Sequence, residues 1–195
     1  MKKIQYTIAT VFIVMLASCS SKDNDFYNEI AISVPEIVTI ESPTILLVND
    51  TVWMQANFSR YLQEVNQAKL LDVYVTTGAA PSFAFPFFIE KKQGNGDWTF
   101  YPLGNNLVEK KGRAREYSGY FVGTSLYNEQ NLLYEFRSGF KLTEAGEYRL
   151  NFGYESIANR SVTLRSSSAA QQLFLNIRSS VSALNSSGYY IFTVN

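Results

Sequence analysis

The chain has 195 residues, 46% of them hydrophobic, and balances 17 basic against 17 acidic side chains. Nucleic-acid binding depends on concentrated positive charge, so this balance argues against a nucleic-acid partner. Histidine is absent, which excludes Ser-His-Asp and Cys-His catalysis and the usual zinc and copper sites. With a single cysteine no intrachain disulfide can form, but a chain of this length can bury a core without one.

Residues 1–18 are predicted to be a cleaved signal peptide. Lys2 and Lys3 form a basic head that precedes the apolar residues 8–16. This apolar run is shorter than the ~20 residues of a membrane-spanning helix. Its length and its basic flank are those of a secretory signal.

Leu16, Ala17 and Ser18 end this segment, and Cys19 follows. This series resembles the lipobox of bacterial lipoproteins at all four positions. The resemblance implies cleavage between Ser18 and Cys19, lipidation of the thiol and acylation of the new N-terminus. A cysteine thiolate is a good nucleophile near neutral pH, and several acyl chains anchor where one binds only marginally. The alternatives are an ordinary signal with a chance cysteine and an uncleaved membrane anchor.

Residues 19–29 are predicted to be the lipidated cysteine and a flexible tether. The polar stretch 20–25 is similar to the export tether of Bacteroidetes surface lipoproteins, although Asp23 and Asp25 are not contiguous. The alternative is a plain disordered spacer. The resemblance implies an outer-membrane lipoprotein of the cell envelope, bound to the membrane by its lipid, with a periplasmic or an external face both possible.

Residues 30–195 are predicted to form one all-β domain. Alternating or continuous apolar runs predict strands at residues 30–34, 37–40, 44–48, 51–58, 71–76, 83–91, 98–101, 116–122, 132–137, 140–142, 146–152, 172–177 and 189–194. Residues 93–97 predict the turn of a hairpin, and residues 59–71 predict a helical turn or a loop. Many short strands with regular turns point to a β-sandwich.

Residues 142–150 resemble the turn into a late strand of immunoglobulin-like domains. There, a glycine takes the positive φ of the turn and a tyrosine hydroxyl bonds back to the upstream backbone. The resemblance assigns these roles to Gly146 and Tyr148 and implies an immunoglobulin-like β-sandwich. The alternative is an ordinary hairpin.

Five aromatic residues with polar neighbours are candidates for stacking against a ligand: Trp53, Trp98, Tyr101, Tyr117 and Tyr120. Their polar neighbours predict partial exposure, while packing in the core or at its rim is the alternative. The aromatic residues 83–88 are predicted to lie in the sandwich core rather than to form an exposed platform.

Three further motifs give weaker indications. Thr51, in the series Asp-Thr-Val, resembles an O-glycosylation acceptor of Bacteroidetes. The basic residues 110–115 suit an acidic glycan or lipid headgroups, or a solvated loop. Ser138 and Lys141 have the Ser-x-x-Lys spacing of acyl-transfer enzymes, but that motif needs a helix and here lies beside a strand.

The sequence therefore predicts a membrane-anchored, non-catalytic module that captures a glycan or an envelope protein, without catalytic residues, metal or cofactor. The alternative is a structural or assembly subunit, which an unpaired apolar edge at residues 30–34 or 189–194 would favour. A hydrolase with two carboxylates is the third hypothesis, and it requires an acidic pair facing one cleft.

Overall fold

The computed structural model describes residues 28–64, 67–167 and 173–195. The predicted signal peptide, the lipobox with Cys19 and nearly all of the tether lie outside the described residues. The described elements, in chain order, are β1 (Asn28–Ser33), β2 (Val38–Glu41), β3 (Ile45–Leu46), β4 (Thr51–Ala56), β5 (Phe58–Ser59), β6 (Tyr61–Leu62), β7 (Leu71–Asp72), α1 (Val73–Thr76), β8 (Ser82–Lys92), β9 (Trp98–Phe100), a 3₁₀ turn (Gly104–Asn106), β10 (Leu107–Lys111), β11 (Arg113–Tyr117), β12 (Tyr120–Asn128), β13 (Leu133–Glu135), β14 (Arg137–Lys141), β15 (Gly146–Asn151), α2 (Tyr154–Asn159), β16 (Ser161–Ser166), β17 (Leu173–Ser180) and β18 (Tyr190–Val194).

The strands form a large sheet and a small sheet. Within the described residues the large sheet has the main order β1-β17-β16-β8-β12-β13-β5, and β3, β9, β11, β15 and β18 branch from it. The small sheet has the order β10-β14-β4-β2, and β6 pairs with β7. The predicted hairpin of β8 and β9 is confirmed by their antiparallel pairing.

Strand β8 is the axis of the large sheet. Its first half pairs with β12 and β16, and its second half with β15 and β9. Phe83, Phe85, Phe87 and Ile89 alternate along it and are buried. The prediction that residues 83–88 contribute to the core is therefore confirmed for the odd-numbered positions. The even-numbered positions face outward because side chains alternate along a strand.

The two sheets pack face to face around one aromatic core. Phe140 of the small sheet lies with its ring centroid 5.2 Å from that of Phe87 in β8. Phe136, at the junction of β13 and β14, packs edge-on against Phe85, also with centroids 5.2 Å apart. Aromatic pairs at these distances stabilise the fold by more than the burial of their apolar area alone. The predicted all-β sandwich is confirmed.

The turn into β15 has the geometry that the immunoglobulin-like motif implies. Gly146 has a φ of 145°, a conformation that a side chain disfavours. The Tyr148 hydroxyl donates a hydrogen bond to the Glu144 carbonyl oxygen at 2.8 Å. The Tyr148 ring is fully buried and stacks on Phe192. Both predicted roles are confirmed.

The prediction of a helical turn or a loop at residues 59–71 is confirmed as a loop for the described residues 63–64 and 67–70, while β5, β6 and β7 occupy the two ends of the stretch. The strand predicted at residues 71–76 is confirmed only for β7 and is wrong from Val73 onward, because α1 follows Asp72. The Asp72 carboxylate accepts a hydrogen bond from the Val75 amide at 3.0 Å and so caps this turn. The β-branched residues that follow resemble a strand in sequence, but the cap favours the helical turn.

The edge strands bear on the assembly hypothesis. Strand β18 lies between β15 and β3, so the C-terminal strand is paired on both sides. Strand β1 pairs in parallel with β17 and ends the main order of the large sheet. Of the two edges that the sequence singles out, only the N-terminal one is an edge in this structure.

Candidate functional site

Tyr117 and Tyr120 come together because a tight hairpin joins β11 to β12. The two residues face each other in the strand register across Ser118 and Gly119, and Gly119 has a φ of 91°. Their rings stack with centroids 5.3 Å apart and 13° between the planes. Tyr117 is 46% exposed and Tyr120 is 37% exposed. This tyrosine pair is a preformed aromatic surface open to solvent.

The tyrosine pair continues onto the outward face of β8 through Phe88. The ring centroid of Phe88 lies 6.2 Å from that of Tyr120. Phe88 is the last of the three outward residues in the 83–88 stretch, after Ala84 and Pro86, and sequence reasoning missed its place beside the pair. The alternation of residues 83–88 could have indicated the exposure of Phe88, since burial of the odd-numbered positions places the even-numbered ones on the outward face.

A groove on the outward face of the large sheet lies beside this aromatic surface. We call it the outer groove. Its volume is about 470 Å³, within the range of ligand pockets. Its lining comes from β8, β12, β16 and β17 and includes Ala84, Phe85, Pro86, Val122, Thr163, Arg165 and Asn176. Pro86 faces Val122 in the strand register, so the groove leads along β8 towards Phe88.

Pro86 explains why the sheet leaves room for the groove. On one side of β8, strand β16 pairs with Phe83 and Ala84, and the next partner, β15, begins at Phe88. The backbone of β8 therefore changes partner across Pro86. Proline has no amide hydrogen to offer a ladder, so it fits where strand pairing is interrupted.

Two arginines on the outward face of the large sheet are paired with carboxylates of the protein. Arg165, in the outer groove, bonds Glu29 at 2.8 Å. Arg149 makes two hydrogen bonds to Glu90, at 2.7 and 3.2 Å. These two arginines are each matched by a carboxylate. Arg113 and Arg115 lie on the same side of β11 as Tyr117, and Arg115 faces Val122 in the register.

Trp98 lies on the same outward face but is engaged by the protein itself. The Arg149 guanidinium carbon lies 4.5 Å from the Trp98 ring centroid and 4.2 Å from that of Tyr189. The cation is thus held between two aromatic rings while Glu90 binds its edge. Arg149 occupies a surface of Trp98 that a ligand would otherwise use, so Trp98 offers less area than the tyrosine pair.

Trp53 lies on the outward face of the small sheet, on the opposite side of the sandwich. It faces Gly139 in the register of β4 and β14. A Cβ added at Gly139 would come within 2.9 Å of two carbon atoms of the Trp53 indole, so the ring covers the glycine. Arg137 lies with its guanidinium carbon 5.1 Å from the ring centroid of Trp53. Trp53 and the tyrosine pair cannot contact one small ligand together.

Tyr101 is buried, and the prediction of its exposure is wrong. Only 8% of the residue is accessible. Its ring packs edge-on against Tyr148, and its hydroxyl lies 3.2 Å from the Thr143 hydroxyl. The Tyr101 amide donates to the Ile89 carbonyl oxygen at 2.8 Å, which continues the β8–β9 pairing. Its polar neighbours in sequence belong to the turns, not to its own packing site.

The weaker motifs of the sequence are placed as follows. Thr51 begins β4 and is partly exposed, and its glycosylation stays a prediction. The basic residues 110–115 belong to β10 and β11 rather than to a loop, and Lys111 forms an ion pair with Glu135. Ser138 and Lys141 lie in β14, where their spacing directs them to opposite faces.

A second depression, of about 490 Å³, contains two carboxylates, Glu129 and Glu135. Glu135 is buried, and its hydrogen bond from Lys111 holds its pKa below the ordinary value, with further help from Asn128. A general acid of a two-carboxylate hydrolase needs a raised pKa instead. The pair therefore gives no support to the hydrolase hypothesis.

No family model matches the chain, and no curated protein matches it. The chain is similar to the crystallised CARDB domain of a Pyrococcus furiosus protein in complex with di-metal ions. The two share 14% identity over 82% of this chain and 99% of that chain, with a TM-score of 0.25, a value too low to support any statement on function. The described residues contain no group of three or more acidic or cysteine ligands that could hold a metal ion. None of their helices has the length and apolar character to cross a bilayer.

Proposed function

We propose that the chain is a lipid-anchored, non-catalytic binding module of the cell envelope that holds a neutral glycan along the outer groove. The observation that carries the proposal is the exposed, stacked pair of Tyr117 and Tyr120 at the head of the groove. An aromatic ring offers a flat apolar surface to the apolar face of a sugar ring. The lipobox at residues 16–19 supports the anchor.

A neutral ligand fits the outer groove better than a charged one. Arg165 is already bound to Glu29, so an anionic sugar would have to compete with an existing ion pair. Asn176 and Thr163 line the same groove and supply neutral polar groups for sugar hydroxyls. We therefore expect binding that changes little with salt, because screening acts mainly on unpaired surface charges.

The test is calorimetry with a panel of soluble neutral polysaccharides and with the chain from residue 20 onward, which keeps every described residue. We expect one class of glycan to bind. The double variant Tyr117→Ala/Tyr120→Ala should weaken that binding at least about fivefold, since each lost stacking contact is worth roughly 0.5–1.5 kcal/mol. The affinity of the unmodified chain should change less than about twofold between low and moderate salt.

Tyr61→Ala is the matched control, because Tyr61 is 42% exposed and lies outside the groove. It should leave glycan affinity unchanged. A panel without any binding would overturn the glycan proposal. Binding that survives in the double variant would place the glycan elsewhere, and a steep loss of affinity with salt would contradict a neutral ligand.

A further inference from the structure

One end of the large sheet is the end at which the chain reaches the described residues. Asn28 begins β1 opposite Leu173, the first residue of β17. Strand β8 also begins at this end, and β12 finishes there, since Ser82 faces Leu126 in the register. We call it the proximal end. Whatever precedes Asn28 is connected to the sandwich from this side.

The proximal end displays four exposed apolar side chains, which we call the proximal cluster: Tyr61, Leu70, Val75 and Leu132. Backbone hydrogen bonds join the segments that carry them. The Arg60 amide donates to the Leu132 carbonyl at 2.8 Å, and the Val73 amide donates to the Arg60 carbonyl at 2.8 Å. The Tyr127 amide donates to the Pro81 carbonyl beside the start of β8.

Buried and paired groups hold these segments in place. Arg60 makes two hydrogen bonds to Asp72, at 2.8 and 2.7 Å, and its guanidinium lies over the Tyr74 ring. Tyr74 in turn stacks on Tyr127 with centroids 4.5 Å apart. The exposed side chains thus project from a fixed base. Arg60, at the base of the cluster, is neutralised by Asp72, while Lys69 is exposed beside Leu70.

The length of the preceding chain limits how far this surface can lie from a lipid anchor. Cys19 is nine residues before Asn28, and nine extended residues span at most about 30 Å. A lipid on Cys19 would therefore hold the proximal end close to the bilayer, whereas the far end of β8 lies its full length of 11 residues away, roughly 35 Å. Apolar and tyrosine side chains suit the headgroup region of a membrane.

We propose that the proximal cluster inserts into the bilayer surface and fixes the orientation of the sandwich on the membrane. The partner is the headgroup and upper acyl region of zwitterionic lipid, because the cluster has no surplus of positive charge to select anionic lipid. This contact rests on the lipid anchor of the proposed function, but not on the glycan in the groove.

The test uses the full chain, purified with its lipid and reconstituted in phosphatidylcholine vesicles. An environment-sensitive thiol fluorophore is attached to Val75→Cys or, as a matched control, to Leu47→Cys. Val75 and Leu47 are both 64% exposed, and Leu47 follows β3 beside the far end of the large sheet. Spin-labelled lipid should quench the probe at 75 at least about threefold more than the probe at 47. Leu70→Asp should remove more than half of the quenching at 75, with an unchanged circular dichroism spectrum.

Each outcome is decisive. If the parent chain reacts with the fluorophore at Cys19 and dissociates from the vesicles, Cys19 carries no lipid. That result overturns the anchor and this contact together. A chain that stays on the vesicles with equal quenching at both positions overturns the contact alone. If Leu70→Asp leaves the quenching at position 75 unchanged, the proposed contact is also overturned, since the proximal cluster would not be the inserted surface. The glycan panel is measured separately, with the lipid-free chain from residue 20 onward, and is unaffected by either result.

Discussion

At the scale of single residues, Tyr148 fixes the turn into β15 with one hydroxyl group. Its bond to the Glu144 carbonyl is 2.8 Å long, and the ring beneath is fully buried. Tyr148→Phe keeps the ring and removes only the donor. We expect a loss of about 1 kcal/mol in the free energy of unfolding, the typical net worth of a hydrogen bond. Urea titration followed by circular dichroism measures it.

The control for this prediction is Tyr154→Phe, because Tyr154 is exposed at the start of α2. Its hydroxyl faces water, so its loss should change the stability by less than about 0.5 kcal/mol. Equal effects of the two variants would show that the hydroxyl at Tyr148 contributes nothing beyond that of a surface tyrosine.

At the scale of elements, the sequence predicts strands well where the hydrophobic alternation is strong. Strand β8 is the clearest case, because its odd positions are aromatic or aliphatic and buried over most of its length. Prediction fails where a local polar contact decides the structure. Asp72 converts a β-branched run into α1. The sequence analysis predicts neither α2 nor β16, although Val162 and Leu164 alternate with Thr163 and Arg165 in β16.

Asp72 therefore gives a test of how one side chain maintains the 60–77 segment. It binds Arg60 and also caps α1. Asp72→Ala removes both contacts, whereas Asp72→Asn can still cap but loses the charge pair. We expect faster hydrogen exchange at the amides of α1, with the alanine variant fastest. Unchanged exchange in both variants would mean that tertiary packing alone maintains this turn.

The same carboxylate has a defined pH dependence. The hydrogen bond from Arg60 holds the pKa of Asp72 below its ordinary value of 3.8. A lowered pKa in the folded state stabilises the fold at pH values above the ordinary one, and this contribution is lost as pH falls through the folded value. The protection of the α1 amides, taken as the intrinsic exchange rate relative to the observed rate at the same pH, should thus fall in the parent chain only below about pH 3.8. Asp72→Asn should lack that step.

At the scale of the whole molecule, the candidate site shows the limit of sequence reasoning. Tyr117 and Tyr120 are partly exposed, as their polar neighbours predict, but their contact depends on the Ser118–Gly119 turn, where the sequence predicts one continuous strand. Tyr101 was misplaced for the same kind of reason, since a strand register rather than its neighbours decides which way it faces. The outer groove arises where β8 exchanges one partner strand for another, which only the tertiary fold determines.

The two tryptophans allow a test of whether residues 30–195 behave as one domain. Trp53 reports on the small sheet and Trp98 on the large one, and the two sheets share a single cluster of buried residues. A shared core couples the unfolding of both layers, so we expect a two-state transition. In Trp53→Phe and in Trp98→Phe, the fluorescence of the remaining tryptophan should give the same urea midpoint as far-ultraviolet circular dichroism of that variant.

A tryptophan midpoint that differs from the circular dichroism midpoint would show that one sheet unfolds before the other. The sandwich would then consist of two separately stable layers, in spite of the contacts between Phe87 and Phe140.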